Sequence, residues 1–313
     1  MDEYNKKLNK NKIPKSKGVI KRDFKLSNFT WFKVGGKAEV YFLPKNINDL
    51  VNFLKSLDKK IPLKILGAGS NTLIRDGGIG GVTLRLSKNF SEIKYLNNEK
   101  ISVGAGLNCT KLARNCASKN LQGFEFFTGI PGTVGGAIKM NAGAYGHETS
   151  DFLEKVTTVN RVGEIKKYLR KDIKMSYRKS SLKKDEIIIE ALFKGKKGNS
   201  AIIKEKITKL SEKRKKTQPI SLKTSGSTFK NPFKLKAWKL IKDSGCSNLK
   251  KGGAQVSSLH SNFIVNHGIA NAKDVEDLGN MIINKVKKKF GIKLDWEIKI
   301  IGSKQKYRKY FNE

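Results

Sequence analysis

Histidine, cysteine and arginine are few in this chain, and each scarcity bears on a class of chemistry. Only three histidines occur in 313 residues, which leaves few bases for an activated serine or cysteine. The three cysteines, Cys109, Cys116 and Cys246, are odd in number and form no C-x-x-C pair. That pattern excludes a disulfide framework and a zinc site, and fits reduced thiols in a cytoplasmic protein. No apolar run approaches the length of a membrane span, and no signal-peptide core follows the N-terminus. Acids are few: 27 Asp and Glu against 65 Lys and Arg give a net charge of +38. Such an excess invites a nucleic-acid reading through counterion release, but its distribution argues otherwise. Lysines fall in nearly every block of ten, arginine is sparse, and aromatics do not interleave with a basic stripe. The excess reads as solvated surface whose field would steer a phosphorylated small molecule inward. No specific nucleic-acid, membrane or metal role is expected, and the chain is expected to act as a monomer.

Residues 1–22 are polar and lysine-rich, and read as a basic N-terminal extension. From about 28 to 195, strands and helices mix. "INDLVNFLKSL" predicts a helix with Ile47, Leu50, Val51 and Leu54 on one face and Asn46 as cap. "LKILGAG" predicts a short buried strand running into glycines, and "KISVGAG" repeats that form. "TKLARNCASKN" reads as a short helix with Leu112 and Cys116 inward, and "KVTTVN" and "EIIIEALF" as β-branched strands. A charged helix over 204–217 follows a junction near 197–202. The last hundred residues predict a helix over 235–243, a strand at "NFIVN" and a long helix over 272–290. That helix has Asn271 as cap and Val275, Leu278, Ile282 and Val286 inward. "DWEIKIIG" predicts a closing strand, and 303–313 a frayed basic tail. Alternation of such units suggests an α+β fold or mixed α/β layering, of which α+β is the expectation.

Two glycine-rich segments and one serine carry the chemistry. In "ILGAGSNTLIRDGG", a strand ends at Gly67, Ala68 and Gly69, after which Ser70 and Asn71 offer polar side chains. The backbone of such a turn is either an anion site or simply a tight loop. "TGIPGTVGGAIKMNAGAYG" holds six glycines, a cost in chain entropy that loop duty seldom justifies. A dinucleotide pyrophosphate lying on bare backbone would justify it. Neither segment is a G-x-G-x-x-G or G-x-x-x-x-G-K fingerprint. In "TSGSTFKNP", Ser227 follows a glycine in a sharply bending stretch. A nucleophilic role with His260 or His267 would need a G-x-S-x-G elbow, which is missing.

Seven segments in order complete the picture: "TWFKVGG", "GAGSNTLIRDGGIGG", "GIPGTVGGAIKMNAGAYG", "YRKS", "SGSTFKNP", "GGAQVSSLHSNFIVN" and "DWEIKIIG". Together, over about residues 28–302, they resemble the UDP-N-acetylenolpyruvoylglucosamine reductase family. The resemblance implies a FAD-binding region of the vanillyl-alcohol-oxidase type over 23–198 and a substrate-binding domain over 199–302. It implies FAD and NADPH as cofactors, and UDP-N-acetylglucosamine enolpyruvate as substrate. A FAD-linked oxidase of similar fold acting on another small substrate is the alternative. By motif, the catalytic residues would be Arg178 after Tyr177, Ser227, and Glu297 from the closing strand. FAD would lie against Gly67, Ala68, Gly69, Ser70, Asn71, Gly129, Pro131, Gly132, Gly135, Gly136, Asn141 and Gly143. Substrate contacts would come from Tyr177, Lys230, Asn231, Gln255 and His260. The interval between the arginine and serine motifs is too short for the tyrosine-bearing loop of some members, so the chain resembles the loop-lacking subtype.

These residues suit one chemistry. Hydride delivered to the β-carbon of an enol ether leaves negative charge at the α-carbon and its carboxylate. A fixed cation must stabilise that charge, and a positioned acid must protonate the carbon. Arg178 suits the first role and Ser227 the second, because an enolate is basic enough to take a hydroxyl proton without a histidine. Glu297 would either hydrogen-bond the substrate as a neutral acid or orient Arg178 as an anion.

Overall fold

Asparagine sets the start of four helices. The side-chain oxygens of Asn46, Asn108, Asn199 and Asn271 accept first-turn N–H groups of α1 (Ile47–Ser56), α2 (Cys109–Ser118), α4 (Ser200–Thr217) and α6 (Ala272–Phe290). Each contact satisfies a donor that the helix itself leaves unpaired. Two shorter helices, α3 (Val134–Met140) and α5 (Ala237–Asp243), complete the set used below. The computed structural model describes residues 12–306 and 308–311.

Three sheets carry the helices. The first contains β1 (Val19–Lys25), β2 (Lys37–Leu43), β3 (Leu63–Ile65) and β5 (Ile79–Leu84), in the order β1-β2-β5-β3. In it β1 runs antiparallel to β2, while β2 and β3 run parallel to β5. The second is antiparallel and contains β6 (Ile93–Tyr95), β7 (Lys100–Gly104), β8 (Leu153–Val159), β9 (Ile165–Leu169) and β10 (Ile187–Lys194). In the third, β11 (Ala254–Val256) lies between Lys250–Lys251 and β12 (Ile264–Asn266). Between β3 and β5, β4 (Thr72–Ile74) pairs in parallel with β13 (Lys299–Ile301). The end of the chain thereby returns to the first glycine segment.

Packing moves several expected boundaries. The sheet begins at Val19, so the basic extension ends earlier than residue 22; residues 1–11 lie outside the described residues. Helix α4 buries Ile203 and Ile207 in the core formed by α2, β7 and β10, so by packing it belongs with the first part of the chain rather than with 199–302. The α1 face is rotated from the expected one. Leu50, Phe53 and Leu54 are buried while Ile47 is exposed, because Phe53 stacks on Phe42 of β2 at 3.8 Å. The closing strand is shorter than "DWEIKIIG", and Glu297 precedes it. In the C-terminal core, Val275, Leu278, Ile282 and Val286 of α6 pack with Phe229, Ile241 and Ile264, and with Phe32 and Val34 of the "TWFKVGG" segment.

The tail beyond 302 is not frayed where it is described. Phe311 is 1% exposed, within the core of α1, β2 and β5. The backbone N–H groups of Tyr310 and Phe311 donate to buried Glu39 at 2.5 and 2.7 Å, and Gly81 N donates to its other oxygen at 2.6 Å. A carboxylate taking three backbone donors explains how an acid sits buried in β2.

Phe311→Ala is expected to destabilise the protein by about 3–5 kcal/mol in a denaturant melt, and a loss below about 1 kcal/mol would show that the tail is not seated in the core. A second expectation concerns the ion pair between Arg75, just past β4, and Glu276 of α6, with both contacts at 2.8 Å. The Arg75 hydrogen bonds hold the Glu276 carboxyl below its usual pKa. Its stabilisation is therefore fully present above the ordinary glutamate value, about 4.3, and is lost as pH falls through the lowered folded value. Glu276→Gln should be less stable than the parent at neutral pH, with the difference shrinking below about pH 4. A difference independent of pH in thermal melts would rule the pair out as its source.

Candidate active site

The two glycine segments lie against each other. Ser70 Oγ donates to the Pro131 carbonyl at 2.8 Å. A Cβ on Gly132, whose φ is +139°, would stand 3.0 Å from Ser70 Oγ. Beside this seam is a cavity of about 340 Å³, lined from one segment by Gly67 and from the other by Thr133, Gly135 and Gly136. Ala105 and Gly106 after β7, Arg85 after β5, and Lys139 and Lys184 line it too. Ile65 of β3 also faces this cavity, which is why a strand expected to be buried is 37% exposed there.

Of the four glycines that line this cavity, Gly106 and Gly135 are crowded by Phe90 and Ala105, whereas Gly67 and Gly136 have only a threonine hydroxyl nearby. Gly67 and Gly136 have no left-handed backbone, and an added Cβ would meet only Thr133 Oγ1, at 3.1 and 3.4 Å. Elsewhere the protein itself demands glycine. A Cβ on Gly69 would meet Phe29 O at 2.0 Å, one on Gly129 the Tyr145 ring at 2.5 Å, and one on Gly143 His147 O at 2.6 Å. A cavity floored by glycine, with Arg85 and Lys184 around it, fits the pyrophosphate of a dinucleotide such as FAD, although Asp185 and Glu186 line it too and Lys139 Nζ is taken by the Leu182 and Lys183 carbonyls.

Arg178 sits at a tight turn near the end of α3; neither it nor Ser227 nor Glu297 is among the residues that line this cavity. Met175–Ser176 pairs with Lys179–Ser180, and the two-residue connection places Arg178 at φ +57°. Its Nε donates to Glu297 Oε1 at 2.5 Å and its Nη2 to Gly143 O at 3.3 Å. The guanidinium lies 4.8 Å from the Tyr177 ring centre, a cation–π arrangement. The side chains of Arg178 and Glu297 are 19% and 13% exposed.

Glu297 and Ser227 are brought together by backbone. Glu297 N donates to Thr228 O at 2.9 Å, and Lys230 N donates to Asp295 O at 2.9 Å. Residues 228–230 therefore run beside 295–297, with Phe229 bridging Trp296. Ser227 stands one residue before this ladder, after Gly226 at φ +78°, and is half-buried. Asn71 of the first glycine segment donates from Nδ2 to Glu297 O at 3.2 Å and accepts Lys299 N at 3.0 Å. Burial first, and then the Lys230 charge, holds the Lys299 ammonium below the usual lysine range, while Glu297 opposes the shift.

Other expected site residues are committed elsewhere. Of the twelve residues expected against FAD, Gly67, Gly135 and Gly136 line the cavity, while Ala68, Gly69, Ser70, Asn71, Pro131 and Gly132 shape the adjoining loops. Asn141 does not line it. Its side chain is 1% exposed and fully engaged within the protein, which corrects its expected contact with FAD. Asn231 Oδ1 accepts Ala237 N at 3.0 Å at the start of α5, so that oxygen serves the fold. Gln255 is in the middle strand of the third sheet. His260 lies in the 257–262 loop, with Nδ1 accepting Asn262 N at 3.2 Å. Burial lowers its pKa, and no histidine hydrogen-bonds Ser227 among the described residues. Sequence reasoning missed Arg85, Thr133, Lys139 and Lys184. The strand-then-glycine form of "KISVGAG" was a signal for Gly106, whereas isolated basic residues in a lysine-rich chain carried none.

The fold and the cavity define a FAD-binding protein with a second, C-terminal domain. Residues 38–168 match the family model described as FAD binding domain. Residues 218–301 match that of the UDP-N-acetylenolpyruvoylglucosamine reductase C-terminal domain. The enzyme of that name from Rickettsia typhi is 46% identical over 290 residues, covering 93% of this chain and 98% of the relative. That from Rickettsia bellii is 45% identical over the same share of this chain and 96% of its own. The crystal structure of the Thermus caldophilus enzyme superposes with a TM-score of 0.80 at 32% identity, covering 90% of this chain and 99% of that one. The chain belongs to the UDP-N-acetylenolpyruvoylglucosamine reductase family.

Gly136 is the third residue of α3, so Gly136→Ala should stabilise the FAD-free protein by up to about 1 kcal/mol through helix propensity. The same substitution should lower bound flavin per polypeptide, read from the visible absorbance. Unchanged flavin content would show that the bare backbone there is not a cofactor surface.

Proposed function

We propose that this protein reduces UDP-N-acetylglucosamine enolpyruvate to UDP-N-acetylmuramate, a step of peptidoglycan precursor synthesis, with NADPH as the electron source. FAD, when bound, supplies the hydride for the substrate's double bond. The observation that carries the reading is the Arg178–Glu297 contact, held between Gly143 of one glycine segment and Asn71 of the other, with Glu297 in the ladder that Ser227 precedes by one residue.

Arg178 is the cation for the developing charge. Its Nε is occupied by Glu297 and its Nη2 by Gly143, which leaves Nη1 to meet a carboxylate. Guanidinium keeps its charge at any physiological pH, so the site needs no proton to become active. Glu297 takes the orienting role, because a 2.5 Å contact with Nε is a charge-assisted hydrogen bond. Ser227 delivers the proton to the α-carbon. Lys230 and Lys299 add positive charge beside Glu297, which suits a substrate carrying two phosphates. Tyr177, Lys230, Gln255 and His260 are the substrate contacts of this proposal, together with the amide nitrogen of Asn231. The protein acts as a monomer in the cytoplasm, where its three buried, unpaired thiols suit a reducing compartment.

Anaerobic half-reactions test the proposal. NADPH should bleach the flavin, and the enolpyruvyl sugar nucleotide should restore its colour. Reoxidation by oxygen alone would favour an oxidase. Ser227→Ala should leave the NADPH half-reaction near the parent rate and slow the second half, and equal slowing of both halves would remove Ser227 as proton donor. Arg178→Ala should slow the second half by about 10²-fold or more, the size expected for loss of a charge-stabilising donor.

A further inference from the structure

The hairpin that carries Arg178 is too short to hold its own aim, since two residues pair on each side of the turn. What holds it is the end of α3. Asn141 caps that helix at φ +41°, a left-handed conformation that asparagine tolerates better than most residues. Its Nδ2 donates to Ser176 O at 3.3 Å, the residue two before Arg178, and to Glu148 Oε2 at 2.8 Å. Its Oδ1 accepts Ser150 N at 3.0 Å. On the other arm of the hairpin, Ser180 Oγ donates to Lys139 O at 2.9 Å. Lys139 in turn donates from Nζ to the carbonyls of Leu182 and Lys183, on the chain leaving the hairpin. Arg178 Nη2 closes the arrangement on Gly143, two residues past Asn141.

We infer that Asn141 is a positioning residue for Arg178: its buried amide ties the arginine hairpin to the helix that floors the cofactor cavity. This rests on the functional reading above for its catalytic consequence, but not for its structural one. The tie connects two parts of the reaction. Gly135 and Gly136 of α3 line the cavity, and the same helix, through Lys139 and Asn141, sets where the guanidinium stands relative to it. Reactions of this kind lose on the order of 10²-fold when a group is displaced by about 1 Å. Asn141 touches neither substrate nor cofactor in this role. It acts through Arg178.

The test uses Asn141→Gly, which keeps the left-handed backbone available and deletes the amide. In the full-length, FAD-loaded protein, reduction by NADPH should stay within about twofold of the parent, while reoxidation by the enolpyruvyl sugar nucleotide should slow by about 10²-fold. In an Arg178→Ala background the same change should add little, because there is no guanidinium left to aim. Hydrogen exchange on the FAD-free protein gives a readout independent of activity. Amides of residues 176–180 should exchange about tenfold faster in Asn141→Gly, with β8 and β10 unchanged. Should that variant not fold, Ser180→Ala loosens the other arm and should give the same pattern. Unaltered exchange over 176–180, equal slowing of both half-reactions, or full additivity with Arg178→Ala would each overturn the assignment. Failure of the parent itself to turn over the sugar nucleotide would instead sink the functional reading, while the exchange result would still decide whether Asn141 holds the hairpin.

Discussion

A charged contact between Arg178 and Glu297, residues 119 apart in sequence, is the constraint around which the rest is arranged. A guanidinium and a carboxylate this far out of solvent are stable only when both are held in place and their remaining valences are used. The structure meets that demand from four directions. The arginine is turned out of a hairpin anchored on α3, the glutamate is fixed by the 228–230 ladder, Asn71 braces the glutamate's backbone, and Gly143 takes a further guanidinium donor. Remove any one, and the pair would rest on the other three and its own attraction.

The same arrangement explains why the end of the chain comes back to its beginning. Placing Glu297 beside Asn71 requires β13 to join β4, which draws the C-terminal segment onto the first glycine loop. From there the tail continues across Gly77 and Gly80, where an added Cβ would collide with Gln305 O and Arg308 O, and ends with Phe311 in the core of the first sheet. Arg75 and Glu276 reinforce the junction from the other side. The C-terminal domain is thus tied to the first part of the chain by β13 on β4 and by Glu276 on Arg75.

Glycine serves two different purposes in this protein, and the distinction decides what a substitution means. At Gly69, Gly129 and Gly143 the protein's own atoms occupy the space a Cβ would need. At Gly67 and Gly136 almost nothing does, and both open onto the cavity. The first kind reports on packing, and the second on a ligand whose backbone contacts require an unobstructed surface. A count of glycines in a motif cannot separate the two.

Local chemistry was legible in the sequence wherever a single segment decides the outcome. Asn46 and Asn271 announce helix starts because a cap is a contact within four residues, and the inward face of 272–290 follows from spacing alone. The seven ordered motifs were enough to name the family; Arg178, Ser227 and Glu297 follow from them as proposed catalytic residues. Contacts between distant segments were not legible. Residues 19–22 and 308–311 look like solvated lysine-rich tails because their pairing with β2 and with Glu39 is made far away in sequence. Asn141 looked like a cofactor ligand because its motif is glycine-rich, and only the fold shows its amide spent on Ser176, Glu148 and Ser150. What a residue is able to do is written in its type and its neighbours. Which partner it does it with depends on which distant backbone comes within about 3 Å of it, and only tertiary structure settles that.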